Sequence, residues 1–334
     1  MATSAPRPAR FASDRTSLYR DITDRIIAEL RAGRVPWVQP WGSSGVKAAL
    51  GMPSNAISGH RYSGVNVLIL WAAVATQGFA TQQWLTFRQA LALGGNVRKG
   101  ERGTTVVYAR RFTPDAERRR ASETGDTARQ IPFLKRFTVF NAAQCDGLPD
   151  HLALAPPPAD MSLVLPRVDE LIRASGVDFR IGGDAAFYLP AEDFVQVPRP
   201  EQYYEPVNWH RTALHELSHA SGHKQRLNRD LSGSFGSRSY AFEELVAEIS
   251  AAYLCATLNI TPTVRHADYI GSWLECLEND ERAIVRAASA ASKAANYLLG
   301  FLLGSASSDP DPATDGADAD EDAGEAEMAH RRAA

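Results

Sequence analysis

Apolar residues recur along this chain with two periods, three-to-four and two, and the alternation between them outlines its elements. Leu18, Ile22, Ile26, Ile27 and Leu30 keep the helical period until Gly33 interrupts it. Residues 65–77 and 84–93 read as two more helices, and Thr104 to Phe112 and Phe133 to Asn141 as paired strands. The polar segment Thr113 to Pro132 between those strands is expected to be mobile. Pro156-Pro157-Pro158 breaks the pattern and marks a boundary. A helix near 162–175 follows, then beta-prone segments at Phe179-Arg180-Ile181, Ala186-Phe187-Tyr188 and Asp193 to Val197. The helical period returns from Asn208, a candidate cap, to Gly222, a natural stop, and again over 241–258, 266–278 and 280–301. The pattern predicts an α+β chain: an arm over 1–17, a basic α/β domain over 18–150, a linker over 151–160, a second domain over 161–304 and a tail over 305–334.

Charge alters this picture more than overall composition does. The formal net charge is only −3, yet residues 1–150 hold 21 Lys+Arg against 11 Asp+Glu, and the remainder holds 15 against 28. No acidic residue occurs between Gly51 and Gly100. So basic a first half calls for a polyanionic partner. The stretch from Ser305 has nine Asp+Glu and no Phe, Trp or Tyr, the composition of a disordered tail. The sequence contains no eighteen-residue apolar run, and Met1 to Ser17 has no apolar signal core, so neither a membrane span nor a signal peptide is expected. Three cysteines without a C-x-x-C spacing argue against disulfides and thiolate metal sites, and fit a cytoplasmic protein.

The densest chemistry is His215-Glu216-Leu217-Ser218-His219. Residues four apart on a helix lie about 40° apart around its axis, one turn up, so both imidazoles can reach one metal ion. Glu216 lies about 100° round from His215, within reach of a water at the metal without being a ligand. Zinc at a hydrolytic site takes three protein ligands and keeps one position open, so a third ligand is required. His223 continues the i+4 series, but it lies beyond Gly222, and the longer pattern H-E-x-x-H-x-x-G-x-x-H would want histidine where Gln225 stands. The better source is Tyr240-Ala241-Phe242-Glu243-Glu244-Leu245-Val246-Ala247-Glu248, opening a second helix some 25 residues on. That arrangement resembles thermolysin-like zincins. The resemblance implies Glu244 as ligand and Glu248, one turn on, as a residue that orients a histidine, with Glu243 pointing elsewhere. Asp193 to Pro198 reads as the edge strand on which an extended peptide would lie. Tyr203, Tyr204, Tyr240 and His223 are candidates for stabilising an oxyanion.

The first half interleaves Trp37, Trp41, Tyr62, Trp71, Trp84, Phe87 and Tyr108 with Arg34, Lys47, Arg61, Arg88, Arg98, Lys99, Arg102, Arg110 and Arg111. Single-stranded nucleic acid is held by cations that track its backbone and by aromatic faces that stack on unpaired bases.

Several ordered motifs extend that reading. Pro53-Ser54-Asn55-Ala56, Tyr62-Ser63-Gly64-Val65-Asn66, Trp84-Leu85-Thr86-Phe87 and Gly94 to Gly103 resemble the N-terminal domain of ArdC-type antirestriction proteins and TraC-type plasmid primases. Val139-Phe140-Asn141 with Gln144, His215 to His219, Gly222-His223 with Arg226-Leu227, Glu243 to Glu248, and Tyr269-Ile270 with Ser272-Trp273 resemble the ArdC pattern too, so the likeness runs from about Leu18 to Leu303. It implies a single-stranded-DNA-binding domain followed by a zincin-like metallopeptidase domain, in a protein of plasmids and other mobile genetic elements that shields incoming DNA from restriction. On this sequence it implies a metal on His215, His219 and a carboxylate of the Glu243–Glu248 run, with Glu216 as catalytic base. One zinc per chain with Glu244 as third ligand is the expected form, and whether a peptide or protein is the substrate is left open by the family. Arg61, Asn66, Trp84, Arg98, Lys99 and Arg102 are the candidate DNA contacts. The rivals are a DNA-directed metalloprotease and a non-catalytic DNA-binding protein with a structural zinc. A primase is disfavoured, because no polymerising domain follows.

Overall fold

The computed structural model describes residues 11–38, 50–128, 131–153, 160–234, 236–262 and 269–302. Trp41, Lys47, Pro156-Pro157-Pro158 and the acidic tail lie outside the described residues.

Helix α1, Phe11–Arg31, buries Leu18, Ile22, Ile26, Ile27 and Leu30 on one face and reaches back into the expected arm. The helical period at its apolar face does not mark its start, because a helix can begin on polar residues. Gly33, at φ 71°, turns the chain out of it. Strand β1 (Ser54–Asn55) precedes helix α2 (Val65–Gln77), which ends on the left-handed Gly78. The stretch expected to be one helix over 84–93 divides into strand β2 (Gln83–Leu85) and helix α3 (Phe87–Ala92). Thr86 is the reason: it accepts from the Gln89 amide while the Gln89 side chain accepts from Thr86, a capping box that starts a helix three residues late.

Strands β3 (Asn96–Val97), β4 (Thr104–Phe112), β5 (Ile131–Asn141) and β6 (Cys145–Asp146) follow, with helix α4 (Asp115–Thr124) in the segment expected to be loop. One sheet has the order β1-β2-β5-β4, with β1 and β2 parallel and Trp84 opposite Asn141 across the antiparallel β2–β5 pair; β3 and β6 form a second sheet. Helices α5 (Asp150–Ala153) and α6 (Met161–Ala174) lead to β7 (Asp178–Ile181), β8 (Phe187–Leu189) and β9 (Phe194–Val197). Their order is β7-β9-β8, so β9 is the middle strand and not the expected edge. Its place in the sequence just before the helix that carries His215 does not make it an edge, and in the middle of the sheet Phe194, Val195 and Val197 are buried.

Four helices complete the chain: α7 (Pro206–Ala220), α8 (Arg238–Thr257), α9 (Ile270–Asn279) and α10 (Ala283–Gly300). Pro206 opens α7, and Asn208, the expected cap, lies inside the first turn and accepts from Arg211. Helix α8 is buried almost all round, between α7 and α10. Ala287, Ala288, Ala291, Ala294 and Ala295 line α10 with small side chains, which allows close approach.

By packing, Met1–Tyr108 and Arg136–Leu302 form one unit, and the described part of a second unit is Ala109–Lys135, which contains α4. The first unit holds residues from both sides of the expected linker, joined by specific bonds. Gly64, at φ 58°, donates its amide to Ser292 Oγ (2.8 Å) and accepts from the Tyr253 hydroxyl (3.0 Å). Trp71 meets Tyr253 edge-on, Trp37 meets Trp273 likewise, and Thr23 donates to the Glu281 carbonyl.

Candidate metal centre

Helix α7 is fixed before any chemistry is considered. Trp209 donates to the Pro198 carbonyl (2.9 Å), which holds the helix start against the end of β9. Ser218 bonds to Ser250 (3.0 Å), which fastens α7 to α8. On this frame His215 and His219 project from one face, and Glu244 faces them from the second turn of α8. The His215 and His219 Nε2 atoms are 3.2 Å apart, and Glu244 oxygens lie 3.6 Å from the first and 3.5 Å from the second. Ligands about 2.0–2.1 Å from a tetrahedral zinc ion define edges of about 3.3–3.4 Å. The imidazole pair matches such an edge, and one donor atom from each of the three residues can be chosen with all of them within 4.8 Å of one another, nitrogen and oxygen donors of the right kind for such an ion.

The outward nitrogens of both rings also meet carboxylates of α8. Glu248 is 3.9 Å from His215 Nδ1, and Glu243 is 3.2 Å from His219 Nδ1. Glu243 was expected to point elsewhere. Because α8 is surrounded on all sides, the residue a step round from Glu244 also faces a packed neighbour, and there it meets His219 and Arg229. Burial opposes protonation of His219, but Glu243 and Glu244 outweigh it and hold the pKa up at about 10. Burial would raise the Glu244 pKa, and the two histidines hold it well below the carboxylate range instead. A cluster that retains a proton so firmly favours positive charge at its centre.

One side of the centre is open. A cleft of about 270 Å³ is lined by His215, Glu216, His219 and Glu244, by Phe187 and Tyr188 of β8, and by Tyr240 and Tyr269. Glu216 is buried at 5 % exposure. The Tyr240 and Tyr269 hydroxyls are 3.1 Å apart. Of the four oxyanion candidates, only Tyr240 lines the cleft; Tyr204 is fully exposed, and His223 lies 3.4 Å from Asp193. Asp193, in the turn between β8 and β9, pairs with Arg226 and accepts from Tyr188 (2.8 Å), so the β8 lip is tied to the end of α7. Burial would raise the Asp193 pKa, but Arg226 and Tyr188 hold it below the carboxylate range.

The candidate DNA contacts divide into two groups. Trp84 is fully buried, with Phe79 edge-on to its ring, so no base can stack on it. Asn66 is buried and bonds both backbone groups of Val107, in the manner of a neighbouring strand. Arg98 is engaged with Glu101 (2.8 Å), the Ala143 carbonyl (2.7 Å) and Asp146 (3.4 Å), which pins a loop. Arg61, Lys99 and Arg102 are exposed. Among the described residues of this half, the exposed large aromatics are Phe87, at 47 %, and Tyr108, at 40 %. Composition could not separate them from Trp84, because exposure is a property of the assembled sheet.

Comparison with known proteins agrees with these two parts. Residues 166–290 match the model of the zincin-like metallopeptidase family, and residues 16–140 match the N-terminal domain of anti-restriction factor ArdC. Fold and site thus define a zincin-like metallopeptidase domain joined to an ArdC N-terminal domain. The uncharacterized protein y4eC of Sinorhizobium fredii (strain NBRC 101917 / NGR234) is 42% identical over 295 residues, 85% of this chain and 92% of that protein. DNA primase TraC of Escherichia coli is 37% identical over 293 residues, 84% of this chain but only 20% of the primase. Crystal structures of the antirestriction ArdC protein from the R388 plasmid, metal-free and Mn(II)-bound, superpose with a TM-score of 0.71 at 38% identity, covering 86% of this chain and 98% of that one. The chain belongs to the ArdC antirestriction family. Among the described residues no helix is long and apolar enough to cross a membrane.

Proposed function

We propose that this ArdC-family protein binds one zinc ion through His215, His219 and Glu244, hydrolyses peptide bonds with Glu216 as general base, and binds single-stranded DNA through its basic half. The observation that carries the reading is the cluster of three donors, within 4.8 Å of one another, in the lining of an open cleft that Glu216 shares. A purely structural zinc would be expected to have four protein ligands and no such opening. Two imidazoles and a carboxylate suit zinc, while the Mn(II) of the R388 relative keeps manganese as the competing ion. When bound, the ion would supply a Lewis acid for the scissile carbonyl and lower the pKa of a water beside it.

The chain's own residues do the rest. An extended peptide would pair with the free edge of β8, where Phe187 and Tyr188 supply apolar walls. Glu216 would take the water's proton and pass it to the leaving amine. The Tyr240 hydroxyl would donate to the carbonyl oxygen as negative charge develops there. On the basic half, Arg61, Lys99 and Arg102 would follow phosphates while Phe87 and Tyr108 offer faces to unpaired bases. A DNA-directed protease is the second reading. In its favour, α8 carries Glu244 at one end and, at the other, Tyr253, which bonds Gly64 of the basic half.

The test is zinc-loaded protein incubated with a denatured protein, with and without single-stranded DNA. Cleavage that is lost in Glu216→Gln supports hydrolysis, and stimulation by DNA selects the second reading. Retention of bound zinc with no cleavage would leave only a structural metal.

A further inference from the structure

Helix α7 ends at Ala220, and Arg229, from the loop that follows, lies back across that end. Its Nη2 donates to the Ser218 carbonyl (2.7 Å), which also accepts from Ser221 Oγ (2.6 Å), and its Nη1 donates to that Oγ (2.9 Å), so it clasps the helix end. The other side of the guanidinium forms a two-pronged pair with Glu243, Nε to Oε2 at 3.0 Å and Nη2 to Oε1 at 2.7 Å. Glu243 Oε1 also lies 3.2 Å from His219 Nδ1.

Gly222 belongs to the same assembly. Its φ is not in the left-handed region, so its backbone does not require glycine. A Cβ there, however, would come within 2.8 Å of Arg229 Nη2 and 2.9 Å of its Cζ. The guanidinium, together with the His219 carbonyl oxygen at 3.0 Å, occupies the space that a side chain at 222 would need.

A carboxylate that accepts from Nδ1–H leaves the lone pair of the same ring on Nε2, the atom facing His215 and Glu244. Glu243 can do this only while its own direction is fixed, and Arg229 fixes it. We propose that Gly222, Arg229 and Glu243 form a positioning relay that holds the ring orientation and tautomer of His219 and so sets the affinity for the divalent ion. The inference rests on the reading of His215, His219 and Glu244 as ligands. None of the three relay residues is itself a ligand.

The competing account is that Arg229 only closes a helix end; Arg226 also donates to a carbonyl there, that of Ala220 (2.6 Å), and its carboxylate partner is Asp193 and not Glu243. That makes Arg226→Met the control. Zn2+ and Mn2+ affinities of the full chain, measured by competition with a chromophoric chelator, are compared with the melting temperature of the ion-free protein. Glu243→Gln, which is nearly isosteric, and Arg229→Met should each weaken ion binding by about 10- to 100-fold. Gly222→Ala should act in the same direction, and its effect should not add to that of Arg229→Met. In the Gly222→Ala background, Arg229→Lys should recover part of the affinity, because the slimmer ammonium needs less room. Arg226→Met should lower the melting temperature and leave ion affinity unchanged.

Ion affinity like the wild type's in Glu243→Gln, with only the melting temperature lowered, would overturn the relay even if Arg229→Met fails to fold. A wild-type protein with no ion affinity would overturn the metal reading and the relay together. If His219→Ala loses the ion while every relay variant keeps it, only the relay falls.

Discussion

Around His219 lie two buried carboxylates, Glu243 and Glu244, and Arg229 pairs with the first of them, whereas Arg61, Lys99 and Arg102 stand in solvent at the other side of the sequence. The difference decides what each region responds to. Charges in water interact weakly beyond a screening length of about 8 Å at physiological salt, while buried pairs are screened far less. The metal centre should therefore be governed by protons and ligand geometry, and the basic surface by ionic strength. Two arginines illustrate the two regimes: Arg229 holds a buried carboxylate in place, and Arg98, 41 % exposed, uses its donors to pin a loop.

The contrast can be broken most forcefully at the metal centre. His215→Ala or His219→Ala should lose most of the ion by elemental analysis, and full occupancy in both would move the site. Glu216→Gln should keep ion and DNA affinity while lowering any peptide hydrolysis by about 100- to 10,000-fold, measured on a denatured protein substrate. Glu244→Ala should weaken ion binding more than Glu243→Ala, since one removes a ligand and the other a support.

The next largest effect separates two aromatics. Trp84→Ala should cost about 3–5 kcal/mol of stability in denaturant unfolding, as deletion of a fully buried ring does. Phe87→Ala should leave stability nearly unchanged and weaken single-stranded DNA binding by about 1–3 kcal/mol. The opposite assignment of the two effects would mean that the stacking face lies elsewhere.

Alanine at Arg61, Lys99 and Arg102 together should lower the slope of log affinity against log salt by about 2 on single strands, at about 0.7 for each phosphate contact. Ion affinity in the same variant should not move. An unaltered slope would remove these residues from the DNA surface.

The smallest effect is a proton. His219 is held at a pKa of about 10, above its ordinary value, so its pairing with Glu243 and Glu244 stabilises the ion-free fold fully below that ordinary value. The contribution fades as pH rises through about 10. An ion must displace that proton. Binding at pH 8 in weak buffer should release about one proton per ion, and no release would show that His219 is already neutral.

The metal motif was legible because its spacing is local: four residues on a helix bring two rings together whatever surrounds them. Glu244 was legible through resemblance to a known arrangement. Glu243 was not, since a helical wheel shows a residue's direction but not that α8 has packed neighbours on every side. The edge strand was misread for a similar reason, as the order β7-β9-β8 is decided by pairing and not by the place of β9 in the sequence just before α7. Asn66 shows the limit most clearly. Its side chain completes the hydrogen bonding of Val107, forty-one positions away, and nothing near it in sequence announces that partner.

Gly64 gives up both its backbone groups to the far half of the chain, one to Ser292 on α10 and one to Tyr253 on α8. In terms of inheritance, this makes the two matched segments hard to separate. A recombination event near the boundary would carry away one partner of each bond and leave the apolar side of α2 without its floor. A fused gene that kept only one of the two segments would begin its history with a folding defect to repair.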